Sequence, residues 1–292
     1  MSEAESVTAA GDDAGPRRGT RIGARFADAP GRRLLVPYIT AGDPDLDTTL
    51  ALMGTLVAAG ADIIELGIPF SDPMADGPVI QAACERALAV GTRLVDVIDL
   101  VARFRETDDR TAVVLMGYAN PVERLGHAEF ARRAAAAGVD GVLTVDLPPE
   151  EADDLVAELE AANLDTIFLL SPTTPDARLK RVAMRASGYV YYVSLKGVTG
   201  AATLDTAAVA ERVGQIKALV DLPVAVGFGI RDAESAAAIA ATADAVVVGS
   251  ALVSLVAEHG ADRETLVARL GETVGAMRRA MDAVEGDGRA DP

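Results

Sequence analysis

Two acidic residues lie where a carboxylate is unusual in a folded protein. Glu65 lies inside the apolar run DIIELG at 62–67, and Asp76 follows eleven positions later in the loop IPFSDPMADGP. Removal from water destabilises an unpaired carboxylate and raises its pKa. Each residue alone has an ordinary explanation: Glu65 as a structural carboxylate paired with a neighbouring strand, and Asp76, like Asp72, as a turn or helix cap. Together they predict general acid-base chemistry by two carboxylates.

Three glycine motifs follow later apolar runs in the chain. They are GVTG at 197–200, GFGI at 227–230 and GSA at 249–251. Glycine lets backbone N–H groups approach an anion closely, and a helix that begins at Ser250 would direct its positive end toward the same place. One such motif alone carries little information, because turns need glycine anyway. Three motifs after successive strands predict a phosphate site.

The elements that must position these residues form a regular series. From Arg32 onward, short β-branched runs alternate with longer alanine-rich segments of helical period, which predicts a parallel sheet with crossover helices. Eight such units favour a single (β/α)₈ TIM barrel with extra short helices over an open doubly wound sheet, whose first strand precedes a glycine fingerprint. Chemistry is then expected at the carboxyl ends of the strands. The predicted strands are 34–39, 62–67, 112–117, 141–146, 165–170, 189–194, 223–228 and 244–249.

Composition narrows the class of protein. The chain has 292 residues, half of them hydrophobic, and a formal net charge of -17. The apolar content excludes wholesale disorder, and the acidity argues against nucleic acid or an anionic membrane as partner, although backbone amides can still hold one small phosphate. Cys84 is the only cysteine, which fits a reducing compartment. With neither a signal-peptide pattern nor eighteen consecutive apolar residues, the sequence predicts a soluble, cytoplasmic protein.

The predicted domain organisation has one folded unit between two tails. We expect a disordered acidic leader over 1–30, the barrel over 31–285 and a flexible C-terminal tail over 286–292. A single barrel accounts for the whole body of the chain, so no second domain is needed.

Large side chains near the strand ends are predicted to line the mouth of the barrel. Tyr191 and Tyr192 should face opposite sides of strand six, because side chains alternate along a strand. Asp146 ends strand four, where substrate contact and helix capping are equally good explanations. For the other side chains, ordinary core packing is the alternative, and it is preferred for Phe168. These candidates are Tyr38, Phe70, Leu115, Tyr118, Phe168 and Phe228.

Other catalytic classes find little support. His127 and His259 are the only histidines, and no spacing of His, Cys and carboxylates suggests a zinc or iron site. We therefore expect no metal. Lys196, just beyond strand six, offers a second hypothesis, a Schiff-base aldolase. Its surroundings, SLKGVTG, are typical of a loop and not of a desolvated pocket, so the carboxylate mechanism is preferred.

Several motifs resemble those of a known family. They are LVPYITAGDPD, ELGIPFSDPMADGPVIQ, VDLPPEE, YYVSLKGVTG and GFGI, which are similar in order and separation to the tryptophan synthase alpha subunit family from about Arg32 to the final helix. The resemblance implies a TIM barrel that cleaves indole-3-glycerol phosphate to indole and glyceraldehyde 3-phosphate. It implies no cofactor in this chain. The family's two catalytic carboxylates match Glu65 and Asp76.

The resemblance also implies the remaining site residues and a partner. Tyr191 matches a tyrosine beside the catalytic glutamate. Leu195 and Lys196 depart from the smaller or more polar residues expected in the closing loop. The implied partner is a pyridoxal-phosphate beta subunit, which forms an alpha2beta2 complex with the chain and receives indole through a tunnel. A third functional hypothesis is that the chain acts mainly as an allosteric activator of that subunit. The residues matching the indole or phosphate contacts are Tyr38, Leu115, Tyr118, Phe228, Gly200, Gly229, Gly249 and Ser250.

Overall fold

Eight parallel strands close into a barrel in the computed structural model, which describes residues 19–28, 31–194, 206–227 and 229–287. Each strand pairs with the next in chain order, and the eighth pairs with the first. The predicted TIM barrel is confirmed. The strands are β1 (Leu34–Thr40), β2 (Ile63–Gly67), β3 (Ala112–Gly117), β4 (Gly141–Thr144), β5 (Asp165–Leu170), β6 (Val190–Val193), β7 (Val224–Gly227) and β8 (Ala245–Val248).

Twelve helices accompany these strands in the described part of the chain. No helix there combines the length and the hydropathy that a membrane span needs. The helices are α1 (Arg21–Asp28), α2 (Leu46–Ala58), α3 (Pro78–Ala89), α4 (Leu94–Arg105), α5 (Ala119–Leu125), α6 (His127–Ala137), α7 (Asp153–Ala161), α8 (Asp176–Arg185), α9 (Thr206–Lys217), α10 (Ala233–Ala240), α11 (Ser250–His259) and α12 (Arg263–Asp287).

Alternation along the strands divides the core into two layers. Leu34 and Val36 of β1 belong to the interior cluster, which lies inside the barrel. Leu35 and Ile39 belong to the larger outer cluster, which lies between the sheet and the helices. β1 and β2 are buried along their whole length, as expected for strands covered on both faces. The alternation therefore decides which side chains can reach the interior.

Helix α1 closes the bottom of the barrel and corrects the predicted leader. Ile22 is fully buried in the interior cluster, and Phe26, one helical turn later, packs against the same cluster. This spacing gives α1 an apolar face, so residues 21–28 fold onto the barrel instead of being disordered. At the other end, α12 runs to Asp287, beyond the predicted start of the tail. Segments 1–18, 29–30 and 288–292 lie outside the described residues.

Three aspartates hold the amino-terminal ends of the strands together. Asp62, Asp140 and Asp244 each come from a repeated helix-to-strand segment: AAGAD at 58–62, AAGVD at 136–140 and ATADA at 241–245. Each carboxylate also binds basic side chains, chiefly arginines. Each accepts a hydrogen bond of 2.8–2.9 Å from a backbone N–H at the start of the neighbouring strand; these belong to Leu35, Val113 and Val224.

Candidate active site

Glu65 lies in the middle of β2 with its side chain inside the barrel. The residue is fully buried, and Tyr189 Oη donates a hydrogen bond of 2.7 Å to its Oε1 atom. Among the described residues, its Oε2 atom has no hydrogen-bond partner. No described cation pairs with this carboxyl group, which therefore differs from the usual buried carboxylate.

Burial raises the pKa of Glu65 to about 7, and the hydrogen bond from Tyr189 partly opposes that rise. The cause is desolvation, which disfavours the charged form. A carboxyl group with a pKa near neutrality can both donate and accept a proton at physiological pH. The geometry and the titration together fit a general acid-base residue.

Asp76 lies in the loop between β2 and α3, and it is half-buried. Tyr118 Oη donates a hydrogen bond of 2.8 Å to Asp76 Oδ2 and accepts one of 3.0 Å from the Ala75 backbone N–H. The Tyr118 ring stacks on Phe70, with centroids 5.1 Å apart. Burial raises the pKa of Asp76, and the hydrogen bond from Tyr118 opposes that rise. Tyr118, which directly follows β3, thus holds both the loop and its carboxylate.

Helix α3 supports the same loop from behind. Gly77 and Pro78 begin the helix, and Gln81 Nε2 donates a hydrogen bond of 2.8 Å to the Asp76 carbonyl oxygen. Arg86, further along α3, forms a bidentate pair with Asp43 in the loop after β1, at 2.8 and 2.7 Å. Such fork-like pairing fixes geometry as well as charge, so α3 is tied to the loop after β1.

Two interior tyrosines flank Glu65. Tyr38 pairs in register with Glu65 across β1 and β2, and Tyr191 lies on β6. Burial raises the pKa of both hydroxyls, and the charge of Glu65 adds to the rise. Each ring lies over a glycine of the next strand: a Cβ atom at Gly67 would lie 2.2 Å from Tyr38 Oη, and one at Gly227 would lie 2.3 Å from Tyr191 Oη.

The structure corrects the prediction for Leu115. Its side chain is fully buried in the cluster between sheet and helices, because its register partner Leu66 also faces outward. The interior position belongs to the next residue, Met116, which is paired with Gly67 and packs against Tyr38. Met116, and not Leu115, borders the mouth.

Tyr189 is a residue of the candidate site that sequence reasoning missed. It precedes β6, is fully buried and provides the only hydrogen bond to Glu65 among the described residues. The signal was its spacing of two from Tyr191, since residues two apart share one face of a strand. Tyr192 belongs to the outer cluster, so the predicted opposition of Tyr191 and Tyr192 is confirmed.

The structure describes part of the predicted phosphate site. Gly229 has a φ of 79°, a backbone conformation that glycine adopts without strain. Gly249 caps α11, which begins at Ser250, and its carbonyl oxygen accepts the first helical hydrogen bonds, from Leu252 and Val253. The amides before these point out of the helix at the carboxyl end of β8. The other residues predicted here lie outside the described residues: Gly200, Phe228, Leu195 and Lys196.

Two further candidates have structural roles. Asp146 Oδ1 accepts a hydrogen bond of 2.7 Å from the N–H of Ala119, the first residue of α5, so it caps a helix. Phe168 lies in the outer cluster, which confirms the packing explanation. Within the described residues, no three His, Cys, Asp or Glu side chains are grouped as metal ligands.

Comparison with known proteins gives the family. A family model described as tryptophan synthase alpha chain matches residues 26–282. The chain belongs to the tryptophan synthase alpha chain family. The tryptophan synthase alpha chain of Thioalkalivibrio sulfidiphilus is 62% identical over 265 residues, which are 90% of this chain and 100% of the relative. That of Alkalilimnicola ehrlichii is 62% identical over 87% of this chain and 93% of its own length.

Solved structures of tryptophan synthase alpha chains share the fold. Subunit alpha from Legionella pneumophila superposes with a TM-score of 0.85 at 45% identity, covering 90% of this chain and 99% of that one. A chain of Mycobacterium tuberculosis tryptophan synthase in an aminoacrylate-bound form gives 0.80 at 38% identity, over 90% and 100%. The resemblance inferred from the motifs is confirmed. Alpha chains of tryptophan synthase are lyases that cleave indole-3-glycerol phosphate, and this chain is one of them.

Proposed function

We propose that Glu65 and Asp76 together carry out the retro-aldol cleavage of indole-3-glycerol phosphate to indole and glyceraldehyde 3-phosphate. The observation that carries this proposal is the environment of Glu65. Its carboxyl group is fully buried, has a single tyrosine hydroxyl as described partner and has a pKa of about 7. A structural carboxylate would have a cation and further donors, so this arrangement favours proton transfer.

Glu65 acts first as an acid and then as a base. Its proton is transferred to C3 of the indole ring, which makes the ring an electron sink. The bond between C3 and the glycerol chain then breaks, its electron pair returns to the ring, and the hydroxyl on the departing carbon loses its proton to the Glu65 carboxylate as the aldehyde forms. Glu65 is protonated again at the end, so the residue is ready for the next substrate.

Asp76 stabilises the charge that develops on the ring. Protonation at C3 places positive charge on the ring nitrogen, and an ionised carboxylate that accepts a hydrogen bond from the ring N–H would stabilise it. Its half-exposed position in a loop supports the ionised form, and Tyr118 donates to the same carboxylate. The two carboxyl groups therefore have different protonation states and different tasks.

The substrate lies between the interior tyrosines and the glycine turns. Tyr38, Tyr118, Tyr191 and Met116 border the indole, and Phe228 remains a predicted neighbour. Backbone amides at Gly229, Gly249 and Ser250 hold the phosphate, with Gly200 as a predicted fourth contact. Because the chain carries a net charge of -17, these local amides must bind the phosphate against an unfavourable overall field.

The product indole passes to a beta subunit, the partner that this family implies. Membership of the family and the similarity to a chain of Mycobacterium tuberculosis tryptophan synthase support this partner. Pyridoxal phosphate belongs to that subunit, so the cleavage needs no cofactor in this chain. An alpha2beta2 complex in the cytoplasm remains a prediction.

Indole release from indole-3-glycerol phosphate, measured with and without the beta subunit, tests the proposed mechanism. Glu65→Gln keeps the size of the side chain and removes the transferable proton, so turnover should fall about 10²- to 10⁴-fold in both assays. Asp76→Asn should lower turnover with substrate binding largely retained. The matched control is Asp72→Asn, an exposed aspartate in the same loop. Normal turnover of Glu65→Gln would overturn the acid-base assignment.

Two further outcomes would favour the alternatives. Borohydride reduction in the presence of substrate that leaves an adduct on Lys196 would support a Schiff-base aldolase. Full activation of the beta subunit by Glu65→Gln, together with negligible cleavage by the wild-type chain in either assay, would support a mainly allosteric role.

A further inference from the structure

Tyr189, which donates a hydrogen bond to Glu65, packs against helix α1. This helix lies at the end of the barrel opposite the mouth. Tyr189 is among the largest fully buried side chains, and its ring centroid lies 6.3 Å from that of Phe26 in α1, with the two planes tilted by 54°. A tilted aromatic pair at this separation is attractive and directional. Phe26 therefore fixes the side of the Tyr189 ring that faces away from the mouth.

Ile22, one helical turn before Phe26, fills the space beside the same ring. An added Cβ atom at Gly141 would lie 3.0 Å from Ile22 Cδ1, and one at Gly188 would lie 3.2 Å from Ile22 Cγ2. Ile22 is fully buried in the interior cluster that includes Tyr189. Because the side chain touches the backbone at the start of β4 and just before Tyr189, it leaves the ring little room to shift.

Arginines fasten α1 in this place. Arg21 donates from Nη1 to Asp140 Oδ1 at 2.9 Å and from Nε to the Asp109 carbonyl oxygen at 2.7 Å. Arg25 Nη2 donates to the Arg110 carbonyl oxygen at 3.0 Å. These bonds join α1 to the segments that lead into β3 and β4, so the position of Ile22 and Phe26 is set by the barrel itself.

We propose that Ile22 and Phe26 of α1 are positioning residues, which hold the Tyr189 ring so that its hydroxyl donates to Glu65. This proposal rests on the proposed function, in which Glu65 transfers the proton. Tyr189 is the one described group that hydrogen-bonds to Glu65, and no described hydrogen bond joins α1 to Glu65. In this proposal the helix acts on catalysis through Tyr189.

The expected consequence is a change in the titration of Glu65. The hydrogen bond from Tyr189 lowers the pKa of Glu65 from the value that burial alone would give, so a looser bond should raise it further. The other titratable groups that face Glu65 or Tyr189 are not on α1 and should keep their places. They are Tyr38 of β1, Tyr191 of β6 and Asp165 of β5, and Asp76 of the loop after β2 faces Tyr38 and Tyr191.

The test is Phe26→Ala in the full chain, assayed with the beta subunit. The pH dependence of kcat should move upward by about half a unit to one unit, with KM within about twofold of wild type, because one charge-assisted hydrogen bond is weakened. Phe26→Leu restores most of the volume and should return the profile toward wild type. The carboxyl carbon of Glu65, followed by ¹³C NMR in glutamate-labelled protein without substrate, should show the same upward shift.

The control for lost packing is Phe130→Ala. Phe130 is fully buried, whereas Phe26 is partly buried, and Phe130 lies on α6 in the outer cluster. Phe130→Ala should destabilise the fold at least as much as Phe26→Ala and leave the pH profile in place. Tyr189→Phe should shift the profile at least as far as Phe26→Ala, and the double variant should shift no further, because both changes act through one hydroxyl.

Two results would overturn the proposal: a Phe26→Ala profile and carboxyl titration that match those of Phe130→Ala, or shifts that add in the double variant. These failures differ from failure of the proposed function. If Glu65→Gln kept full turnover, the kinetic profile would lose its meaning, whereas the NMR titration would still report whether α1 positions Tyr189 on Glu65.

Discussion

Carboxylates at the two ends of this barrel have different partners. At the amino-terminal end, Asp62 binds Arg32 and Arg278, and Asp140 binds Arg21 and Arg105; each also accepts a backbone N–H from the neighbouring strand. At the carboxyl end, the described hydrogen bonds to the carboxylates of the site come from phenols: Tyr189 donates to Glu65 and Tyr118 to Asp76. Asp62 and Asp140 are therefore held by arginines, whereas the two carboxylates of the site are held by phenol hydroxyls.

This difference separates stability from reactivity. An arginine partner favours the ionised form of a buried carboxylate, whereas Glu65, whose one described hydrogen-bond partner is a hydroxyl, has a pKa of about 7 and can exchange a proton. In barrels of this kind, chemistry lies at the carboxyl ends of the strands and stability at the other end. Substitutions at the two ends should therefore change stability in opposite directions.

The largest expected effect is at Asp62. Asp62→Ala removes one acceptor of the buried Arg278, which keeps the Arg33 carbonyl oxygen and Asp282, and it also removes the acceptor of the Leu35 N–H. The free energy of unfolding should fall by about 3–5 kcal/mol, measured by urea denaturation. The surface pair of Asp153 and Arg185 is the control, and Asp153→Ala should leave the free energy of unfolding close to that of wild type. Equal losses for the two variants would break the comparison.

Glu65→Gln should change stability in the opposite direction, and only at high pH. The pKa of Glu65 is about 7 in the folded chain against an ordinary value of 4.5, so the folded chain holds a proton that the unfolded chain loses between these values. The contribution of Glu65 to the free energy of unfolding is fully present below about pH 4.5 and is lost as the pH rises through about 7. The variant should therefore be more stable than wild type by up to about 3 kcal/mol at pH 8.

At pH 4.5 the advantage of Glu65→Gln should vanish. Urea denaturation of both proteins at the two pH values measures the difference directly. Equal stabilities at pH 8 would mean that Glu65 is ionised at little cost, and the contrast between the two ends would fail for this residue.

Tyr118→Phe tests the second carboxylate of the site. The change removes the hydrogen bonds to Asp76 Oδ2 and from the Ala75 N–H, while the ring can still stack on Phe70. We expect kcat/KM to fall by about tenfold, the worth of one charge-assisted hydrogen bond. Tyr192→Phe is the matched control, because its ring faces the helices. An equal fall in both variants would show that the phenol at 118 has no special role.

The smallest expected effect is at Lys217. Its ammonium group lies 2.7 Å from Asp244 at the amino-terminal end, but 38% of its side chain is exposed, and Asp244 keeps its bond from the Val224 N–H. Lys217→Met should shift the free energy of unfolding by less than about 1 kcal/mol, and added salt should shrink the difference. If Lys217→Met lowered the free energy of unfolding as much as Asp62→Ala, the exposure of a salt bridge at this end would not predict its contribution to stability.

The strands were predictable from sequence, because a strand covered on both faces is a short continuous apolar run. The last predicted strand, 244–249, is Ala245–Val248 in the structure, and the Asp244 carboxylate just before it accepts the Val224 N–H. Helix α1 was not predictable in the same way. Its contacts join Ile22 to Gly141 and Gly188, far along the chain, and no local pattern encodes them.

Within the site, the charge pattern was more informative than position at a strand end. Glu65 could be found because a carboxylate stands out in an apolar run. The prediction for Leu115 was wrong because position at a strand end does not say which face a side chain occupies; the pairing of Gly67 with Met116 decides that. Tyr189 was missed because a phenol before a strand has no unusual chemistry until its distance to Glu65 is known.

The two tyrosines that lie over glycines limit how this mouth can evolve. Tyr38 and Tyr191 occupy equivalent positions. Thr40, two residues after Tyr38, pairs with Gly67 on the next strand. Val193, two residues after Tyr191, pairs with Gly227 in the same way. Even a methyl group on either glycine would collide with the hydroxyl above it. A mutational path that alters either glycine must first pass through a smaller residue at the tyrosine, so each pair changes in a fixed order.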